Sequence, residues 1–233
     1  MTAPLPSRIF LAFDDFSRAG KHVLRCANFD GAQSLAMSRN RVETFLPPDL
    51  CPFVEMLEYP CNRAACILVK TEALTHAQRW DLADAVVAAL SRANVETLTI
   101  VAALHLPYAM ASDRAVFYRG FNTHVAEDTH VDVPALAPAD PTWNVKDAWL
   151  AALLHLIQVE QWPRTHVVVA KGYKPGRDRV GTYDAVDALS RALQRVTTAV
   201  TIDTQHLQRE LAHVVTKEKI ATTQNEHVAL LYH

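Results

Sequence analysis

The chain has 233 residues, of which half are hydrophobic and 21% are charged, and its formal net charge is −2. This composition is typical of a globular protein that is large enough to bury a hydrophobic core. It disfavours a nucleic-acid-binding protein, which needs a clustered cationic surface, and no apolar stretch reaches the roughly 20 residues that a membrane-spanning helix requires.

Apolar runs of strand length occur in five places along the chain. They cover residues 8–13, 22–29, 64–70, 96–103 and 165–171. The last three are continuously apolar, with no alternation of polar and apolar residues, which is typical of strands that helices cover on both faces. The sequence therefore predicts five strands, three of which are buried on both sides.

Helical periodicity occurs in four other segments, residues 75–92, 144–161, 182–196 and 203–218. In each segment the apolar residues recur every three or four positions, as on one face of a helix. The predicted buried stripes are Ala83, Val86, Val87 and Leu90; then Val145, Trp149, Ala152, Leu153, Leu156 and Ile157; then Val186, Leu189, Leu193 and Val196; and finally Leu207, Leu211, Val214 and Val215.

Two of these helices also carry terminal signals. Thr75 and Gln78 have the spacing of a capping box, in which each side chain bonds the free backbone N–H of the other residue. Asn144 is a suitable N-cap for the second helix, and Pro163 is expected to end that helix because its ring cannot continue the hydrogen-bond ladder.

The alternation of strands and helices predicts the fold class and the domain organisation. We expect an α/β protein with a layered, largely parallel sheet and helices on both faces. Residues 1–219 would form a single domain in which residues 104–142, with four prolines and no clear period, are a long variable loop. Residues 220–233 would be a flexible C-terminal tether and docking tail.

The cysteines and the N-terminus indicate a cellular compartment. The first residues lack the basic and then apolar pattern of a signal peptide. The cysteines lie in or beside apolar stretches, which favours buried free thiols and a cytoplasmic, possibly also nuclear, protein. They are Cys26, Cys51, Cys61 and Cys66.

Catalytic motifs are missing from the sequence. It contains no G-x-S-x-G elbow, no G-x-x-x-x-G-K-[ST] loop and no G-x-G-x-x-G fingerprint. The whole chain has only six glycines, whereas a phosphate-binding loop needs several close together. We therefore expect no catalytic residue, no cofactor and no metal, and a protein that is not an enzyme.

Four groups of residues resemble parts of binding sites, but their sequence context favours structural roles. The segment 171–176 favours a turn at the end of a strand. His124, Asp128 and His130 lack the spacing of a zinc site, and the pair Cys61 and Cys66 lacks a second pair. His206 and His213 lie seven residues apart and would share an exposed face of one helix.

The last residues, Leu231-Tyr232-His233, follow a polar segment, residues 221–227, that has too little apolar area to fold alone. A terminal carboxylate is a unique anion that a lysine or a nest of backbone N–H groups can bind, and tyrosine adds a large apolar face with a polar tip. We therefore predict that these three residues bind a partner. They also match the hydrophobic–tyrosine–any pattern (the HbYX motif) of proteins that insert their C-termini between subunits of the proteasome α-ring.

The order of elements from about residue 64 onward resembles the first subunit of the heterodimeric proteasome assembly chaperone. That family has an apolar strand, a helix, a second apolar strand, a variable loop and a helix that begins with Asn-Val or Asn-Ile, as Asn144-Val145 does here. A Trp followed shortly by Pro and another strand comes next, here Trp162-Pro163 and residues 165–171. Two further helices and a terminus containing tyrosine complete the resemblance.

The resemblance implies a non-catalytic chaperone with a doubly wound fold that pairs with a second, related subunit and binds proteasome α subunits at the outer face of the forming α-ring. Leu231 would fill a hydrophobic pocket, Tyr232 would wedge between adjacent subunits, and the carboxylate of His233 would pair with a lysine. No nucleic acid and no membrane would be bound.

Two alternatives stay open at the level of the sequence. The same tail would suit a regulator or inhibitor of the mature proteasome. The fold class would also suit a small-molecule enzyme of the nucleoside type, with its site near Lys171 and the segment 104–142 at the ends of the strands.

Overall fold

The computed structural model describes residues 5–15, 18–29, 35–36, 42–59, 63–106, 116–123, 136–138, 145–172, 179–197, 200–209 and 211–212. Its strands are β1 (Arg8–Phe13), β2 (Ala27–Phe29), β3 (Leu35–Ala36), β4 (Val54–Tyr59), β5 (Ala64–Val69), β6 (Thr97–Leu104), β7 (Val116–Phe121), β8 (Leu136–Pro138), β9 (Arg164–Lys171) and β10 (Val200–Ile202). Its helices are α1 (Ala19–Arg25), α2 (His76–Arg92), α3 (Ala148–Glu160) and α4 (Arg179–Val196), with a 3-10 turn at Cys51–Phe53 and a helical segment at residues 204–209.

Eight of the strands form one sheet in the order β3-β4-β5-β1-β6-β9-β7-β8. The four central strands, β5, β1, β6 and β9, are parallel, and β4 and β7 flank them in the antiparallel direction. The two other strands, β2 and β10, pair with each other in a small antiparallel sheet. The predicted largely parallel sheet is therefore confirmed.

Alternate residues of β1 show how the layers are arranged. Leu11 and Phe13 belong to one hydrophobic cluster with residues of α2 and α3, whereas Phe10 and Ala12 belong to a second cluster with residues of α1 and α4. Because successive side chains of a strand point to opposite faces, helices cover both faces of the sheet. This confirms the predicted fold class.

The capping box and most of the predicted stripes are also present. Thr75 accepts a hydrogen bond from the backbone N–H of Gln78, whose side chain accepts one from the N–H of Thr75. The predicted inward residues of α2 and most of those of α3 and α4 are buried. Leu156 and Val196 are only partly buried, as is Val145, which lies before the start of α3. Val214 and Val215 lie outside the described residues.

The segment 22–29 was wrongly predicted to be a strand. Its first part belongs to α1, and only Ala27–Phe29 is extended. The run is apolar enough for either structure, and the choice follows from a contact distant in sequence: α1 packs on β6 so closely that a Cβ added to Gly20 would lie 2.1 Å from the carbonyl oxygen of Val101. Glycine at this position lets the helix lie directly on the sheet.

The segment 104–142 is not a single loop. It contains β7 and β8, which extend the sheet beyond β9, and the end of β6. The strand β4 was missed as well, although its sequence, VEMLEY, mixes apolar and acidic residues as an antiparallel strand does.

The start of α3 lies later than predicted. Its N-cap is Asp147, whose carboxylate accepts the backbone N–H of Leu150 at 2.8 Å, and Asn144 lies outside the described residues. The helix ends at Glu160, before Pro163, because Gln161 adopts a left-handed backbone conformation.

Candidate functional site

The order in which strands are added to the sheet reverses next to β1. It goes from β1 to β5 on one side and then returns to β6 on the other side. Where the strand order of a parallel sheet reverses in this way, a crevice is expected between the carboxyl ends of the two adjacent strands, here β1 and β6. Open α/β sheets bind their ligands at this position.

The strand pairing locates the crevice. The ladder between β1 and β6 ends at Leu11 and Ile100, whereas β6 stays paired to β9 as far as Leu104. The strands therefore separate over the last residues of β1 and β6, where backbone groups of β6 would be left without a partner strand.

The side chain of Asp15 fills this crevice. One carboxylate oxygen accepts the N–H of Ala19 at 3.0 Å, and the other accepts the N–H groups of Gly20 at 3.3 Å and of Ala103 at 2.6 Å. The residue is 6% exposed. It therefore bonds the first N–H groups of α1 and a free N–H of β6 at the same time, and a buried carboxylate needs such donors.

A buried ion pair lies beside Asp15. The ammonium of Lys21 donates to the carboxylate of Asp14 at 2.7 Å and to the carbonyl of Val69 at 3.4 Å. The side chains of Lys21 and Asp14 are only 8% and 7% exposed. Thr71 donates its hydroxyl to the carbonyl of Asp14, so the ends of β1 and β5 are tied together by polar contacts within the chain.

Arg18 closes the outer side of this group. It has a left-handed backbone at φ 52° and lies 3.7 Å from Asp14, and it also pairs with Glu72. The polar groups around Asp15 thus bond one another, and the place where an α/β enzyme would hold a ligand is taken by the protein's own carboxylate.

No sequence motif marks Asp14 or Asp15 as part of a site. The signal that could have found them is a pair of acidic residues directly after a buried strand, followed within six residues by Gly20 at the start of a helix. Their partners, Lys21 and Ala103, are seven and 88 positions away from the carboxylates they contact.

The predicted partner-binding residues, Leu231, Tyr232 and His233, lie outside the described part of the chain, as do His124, Asp128, His130, Cys61 and His213. Of the segment 171–176 the structure describes Lys171, which is exposed at the end of β9, and Gly172. His206 is exposed, and its backbone N–H bonds the side chain of Asp203.

The three described cysteines, Cys26, Cys51 and Cys66, are free and buried, which confirms the prediction for these three. Burial raises the pKa of the Cys66 thiol well above its usual range, so this thiol is not poised to react. No group of three or more His, Cys, Asp or Glu side chains that could hold a metal ion occurs within the described ranges. A helix long and apolar enough to cross a membrane is likewise missing from this part of the chain.

Comparison with known proteins yields no match by sequence and a clear match by structure. No protein-family model matches the chain, and no curated protein matches it. Pyrococcus furiosus PbaA, an archaeal homolog of proteasome-assembly chaperone, superposes with a TM-score of 0.61 at 12% identity and covers 98% of each chain.

Two further solved structures are similar over most of their length. Pyrococcus furiosus PbaB, an archaeal proteasome activator, gives a TM-score of 0.60 at 10% identity and covers 96% of each chain. A Thermoplasma acidophilum protein of unknown function gives 0.59 at 12% identity and covers 97% of this chain and 90% of the other.

These likenesses define the fold class of the protein. The chain has the α/β fold that is found in PbaA and PbaB, over nearly the whole length of all three proteins. Of these three neighbours, PbaA is described as a homolog of proteasome-assembly chaperone and PbaB as a proteasome activator.

Proposed function

We propose that the chain is a non-catalytic chaperone for assembly of the proteasome core particle. The observation that carries this proposal is the likeness to PbaA over 98% of both chains, because it covers the complete fold and not only a common α/β core. The filled crevice between β1 and β6 supports a role without catalysis, since Asp15 already bonds the backbone donors that a ligand would use.

In this proposal the protein binds proteasome α subunits on the outer face of the forming α-ring, together with a second, related subunit. Leu231 fills a hydrophobic pocket, Tyr232 wedges between two α subunits, and the free carboxylate of His233 pairs with a lysine. While bound, the chaperone blocks regulators that use the same pockets and keeps α-rings from associating prematurely.

The place where the C-terminal segment is attached to the domain is compatible with insertion of the last three residues into a distant pocket. Leu207 and Leu211 are buried in the cluster under α1 and α4, so the chain is held on the domain at least to residue 211. The 20 residues from there to Leu231 span at most about 70 Å when fully extended. A tail of this length could enter a pocket while the domain lies on the ring surface.

The experiment that tests the proposal is affinity purification from cells followed by mass spectrometry. We expect α subunits and one small partner to co-purify with the full chain. Tyr232→Ala, or an extension of the chain past His233, should reduce the recovery of α subunits without lowering the melting temperature, and His227→Ala serves as the matched control. Unchanged recovery with both tail variants would contradict tail docking, and the absence of α subunits from every sample would contradict the chaperone function.

A second candidate function is regulation of the mature proteasome. It is favoured by the equally extensive likeness to PbaB, which is an archaeal proteasome activator. Native gels separate the two functions: an assembly chaperone should migrate with half-assembled particles, and a regulator should migrate with complete ones.

The enzyme alternative can be tested by thermal shift. A nucleoside or nucleotide present at 100 times its dissociation constant should stabilise a binding protein by about 2.7 kcal/mol. We expect no shift, because the ligand position at the strand ends is filled by Asp15.

A further inference from the structure

A short helical segment near the C-terminus packs on the domain with one side only. It comprises residues 203–212, of which the structure describes 203–209 and 211–212, and we call it the latch. Leu207 and Leu211 are 7% and 5% exposed, whereas every other described residue of the latch is exposed. Because the two leucines are four positions apart, they lie on the same face of the helix. The apolar contact of the latch with the domain therefore depends on one row of two described side chains.

The first residue of the latch is its N-cap. The carboxylate of Asp203 accepts the backbone N–H of His206 at 2.9 Å, and the N–H of Asp203 donates to the carbonyl of Cys26 at 3.0 Å. Asp203 is exposed, so water competes for these bonds. A helix as short as the latch is marginal by itself in water. Its helical conformation therefore depends on its packing against the domain.

The latch lies against the end of α1. Cys26, which directly follows α1, is 2% exposed and belongs to the same hydrophobic cluster as Leu207 and Leu211. The neighbouring strands β2 and β10 are held together by their own ladder between residues 27–29 and 200–202. The latch can therefore leave while β10 stays in place, and its departure would uncover the apolar groups around Cys26.

We propose that the latch leaves the domain as a unit, without unfolding of the sheet, and thereby sets the length of chain that is free to carry Leu231-Tyr232-His233. Segments with few buried apolar contacts open at a lower free energy than that of global unfolding. With the latch closed, the 20 residues from Leu211 to Leu231 span at most about 70 Å, and with the latch open the 28 residues from Asp203 span at most about 100 Å. The effect on reach rests on the proposed docking of the tail, whereas the opening of the latch does not.

Thiol labelling of the purified full chain tests the opening. The chain is treated with iodoacetamide, mass spectrometry of peptides assigns the label to each cysteine, and each rate is divided by that of the same cysteine in the unfolded chain. Cys26 should react faster than Cys66, which is 0% exposed in the middle of the large sheet and reports global unfolding. The rate at Cys26 should depend weakly on urea, because opening of the latch exposes little surface, and the rate at Cys66 should rise steeply.

A matched pair of leucine substitutions distinguishes opening of the latch from global unfolding. Leu74→Ala removes a buried leucine on the opposite side of the sheet. It should raise the rate at Cys66 at least tenfold and leave the rate at Cys26 unchanged, because closed and open forms lose the same contact. Leu207→Ala should raise the rate at Cys26 at least tenfold, because only the closed form loses a contact. Circular dichroism would verify that both variants are folded.

Two milder substitutions at the start of the latch should act in opposite directions. Asp203→Ala removes the N-cap and should raise the rate at Cys26 about 2- to 30-fold. Thr204→Pro should lower this rate, because proline is favoured at the first position of a helix and its φ is already helical.

Equal acceleration of Cys26 and Cys66 by Leu74→Ala would show that Cys26 becomes accessible only when the whole domain unfolds, and it would overturn the inference. A rate at Cys26 that neither Leu207→Ala nor Asp203→Ala changes would also overturn it, because the opening would then lie elsewhere. Neither result depends on α subunits, so a failure of the latch is distinguishable from a failure of the proposed chaperone function.

Discussion

Asp15 is the residue on which the centre of the fold depends most directly. Its carboxylate bonds three backbone N–H groups from two elements in the gap between β1 and β6. A single side chain thus replaces the missing end of a strand ladder and starts α1. The same contacts remove the ligand position that this topology normally offers.

Asp15→Asn should lower the free energy of unfolding by about 1–3 kcal/mol, the usual range when a buried hydrogen-bonding group is left unsatisfied. The asparagine keeps the shape but replaces one acceptor oxygen with an NH₂ group, which cannot accept these N–H bonds. Urea unfolding measures the loss, with Asp49→Asn on the exposed surface as the control expected to change stability by less than about 0.5 kcal/mol. Equal effects of the two substitutions would show that the Asp15 bonds contribute little.

Gly20→Ala should be destabilising, although alanine normally favours a helix. The added Cβ would lie 2.1 Å from the carbonyl oxygen of Val101, so α1 must move away from the sheet. We expect a loss of about 1–3 kcal/mol, as in other overpacked cores, where an exposed helical glycine would gain about 0.5–1 kcal/mol. A gain in the urea midpoint would contradict the tight packing of α1.

Asp147 makes stability depend on pH in an uncommon direction for a carboxylate. Desolvation raises its pKa despite the hydrogen bond from the backbone N–H of Leu150. The folded state therefore holds the proton more tightly than the unfolded state, and the contribution of this group to stability is greatest below the unfolded pKa and is lost as the pH rises through the folded one.

The measurement is the difference in unfolding free energy between the unchanged chain and Asp147→Asn, which keeps an N-cap but does not titrate. As the pH rises from about 3.8, the unfolded pKa, into the neutral range, the unfolding free energy of the unchanged chain should fall relative to that of Asp147→Asn. If the unfolding free energy of the unchanged chain instead rises relative to that of Asp147→Asn, the hydrogen bond from Leu150 outweighs desolvation.

At the scale of elements, one side chain connects the end of β7, a strand that the sequence did not predict, to α3 and β9. Asn122, just after β7, donates from its side-chain amide to the carbonyls of Ile157 at 3.0 Å and Pro163 at 3.3 Å. One residue thereby ties the last turn of α3 to the start of β9.

Two substitutions of Asn122 separate this contact from the backbone requirement. Asn122 has a φ of 58°, which is unstrained for glycine and strained for alanine. Asn122→Gly should lose about 1–2 kcal/mol through its two hydrogen bonds, and Asn122→Ala should lose about 1 kcal/mol more through strain. If thermal unfolding ranks the alanine variant as the more stable, the assigned backbone conformation is wrong.

At the scale of the whole molecule, the domain and the C-terminal tail should be separable. Leu207 and Leu211 are 7% and 5% exposed in the cluster under α1 and α4. A chain shortened after residue 219 should therefore melt at the same temperature as the full chain, whereas a chain shortened after residue 202 should lose several kcal/mol, at about 1.5–3 kcal/mol for each buried leucine. Calorimetry of the two truncations decides this, and a stable chain ending at residue 202 would contradict the anchoring role of these leucines.

The sequence by itself determined the central strands, the capping box at Thr75 and the inward stripe of α2. Each of these features depends on residues that are close together in the sequence, within a single helix or a single strand. It also predicted the α/β class, since the alternation of apolar runs and amphipathic segments leaves few other arrangements. The partner-binding role of Leu231, Tyr232 and His233 stays a prediction.

Only the tertiary structure decided that residues 19–25 are helical, that β4 and β7 complete the sheet, and that Asp15 closes the crevice. Each of these depends on contacts between distant parts of the chain, such as that between Asp15 and Ala103, 88 positions apart. A short apolar run has no local preference strong enough to choose between helix and strand, so packing against the rest of the molecule makes that choice.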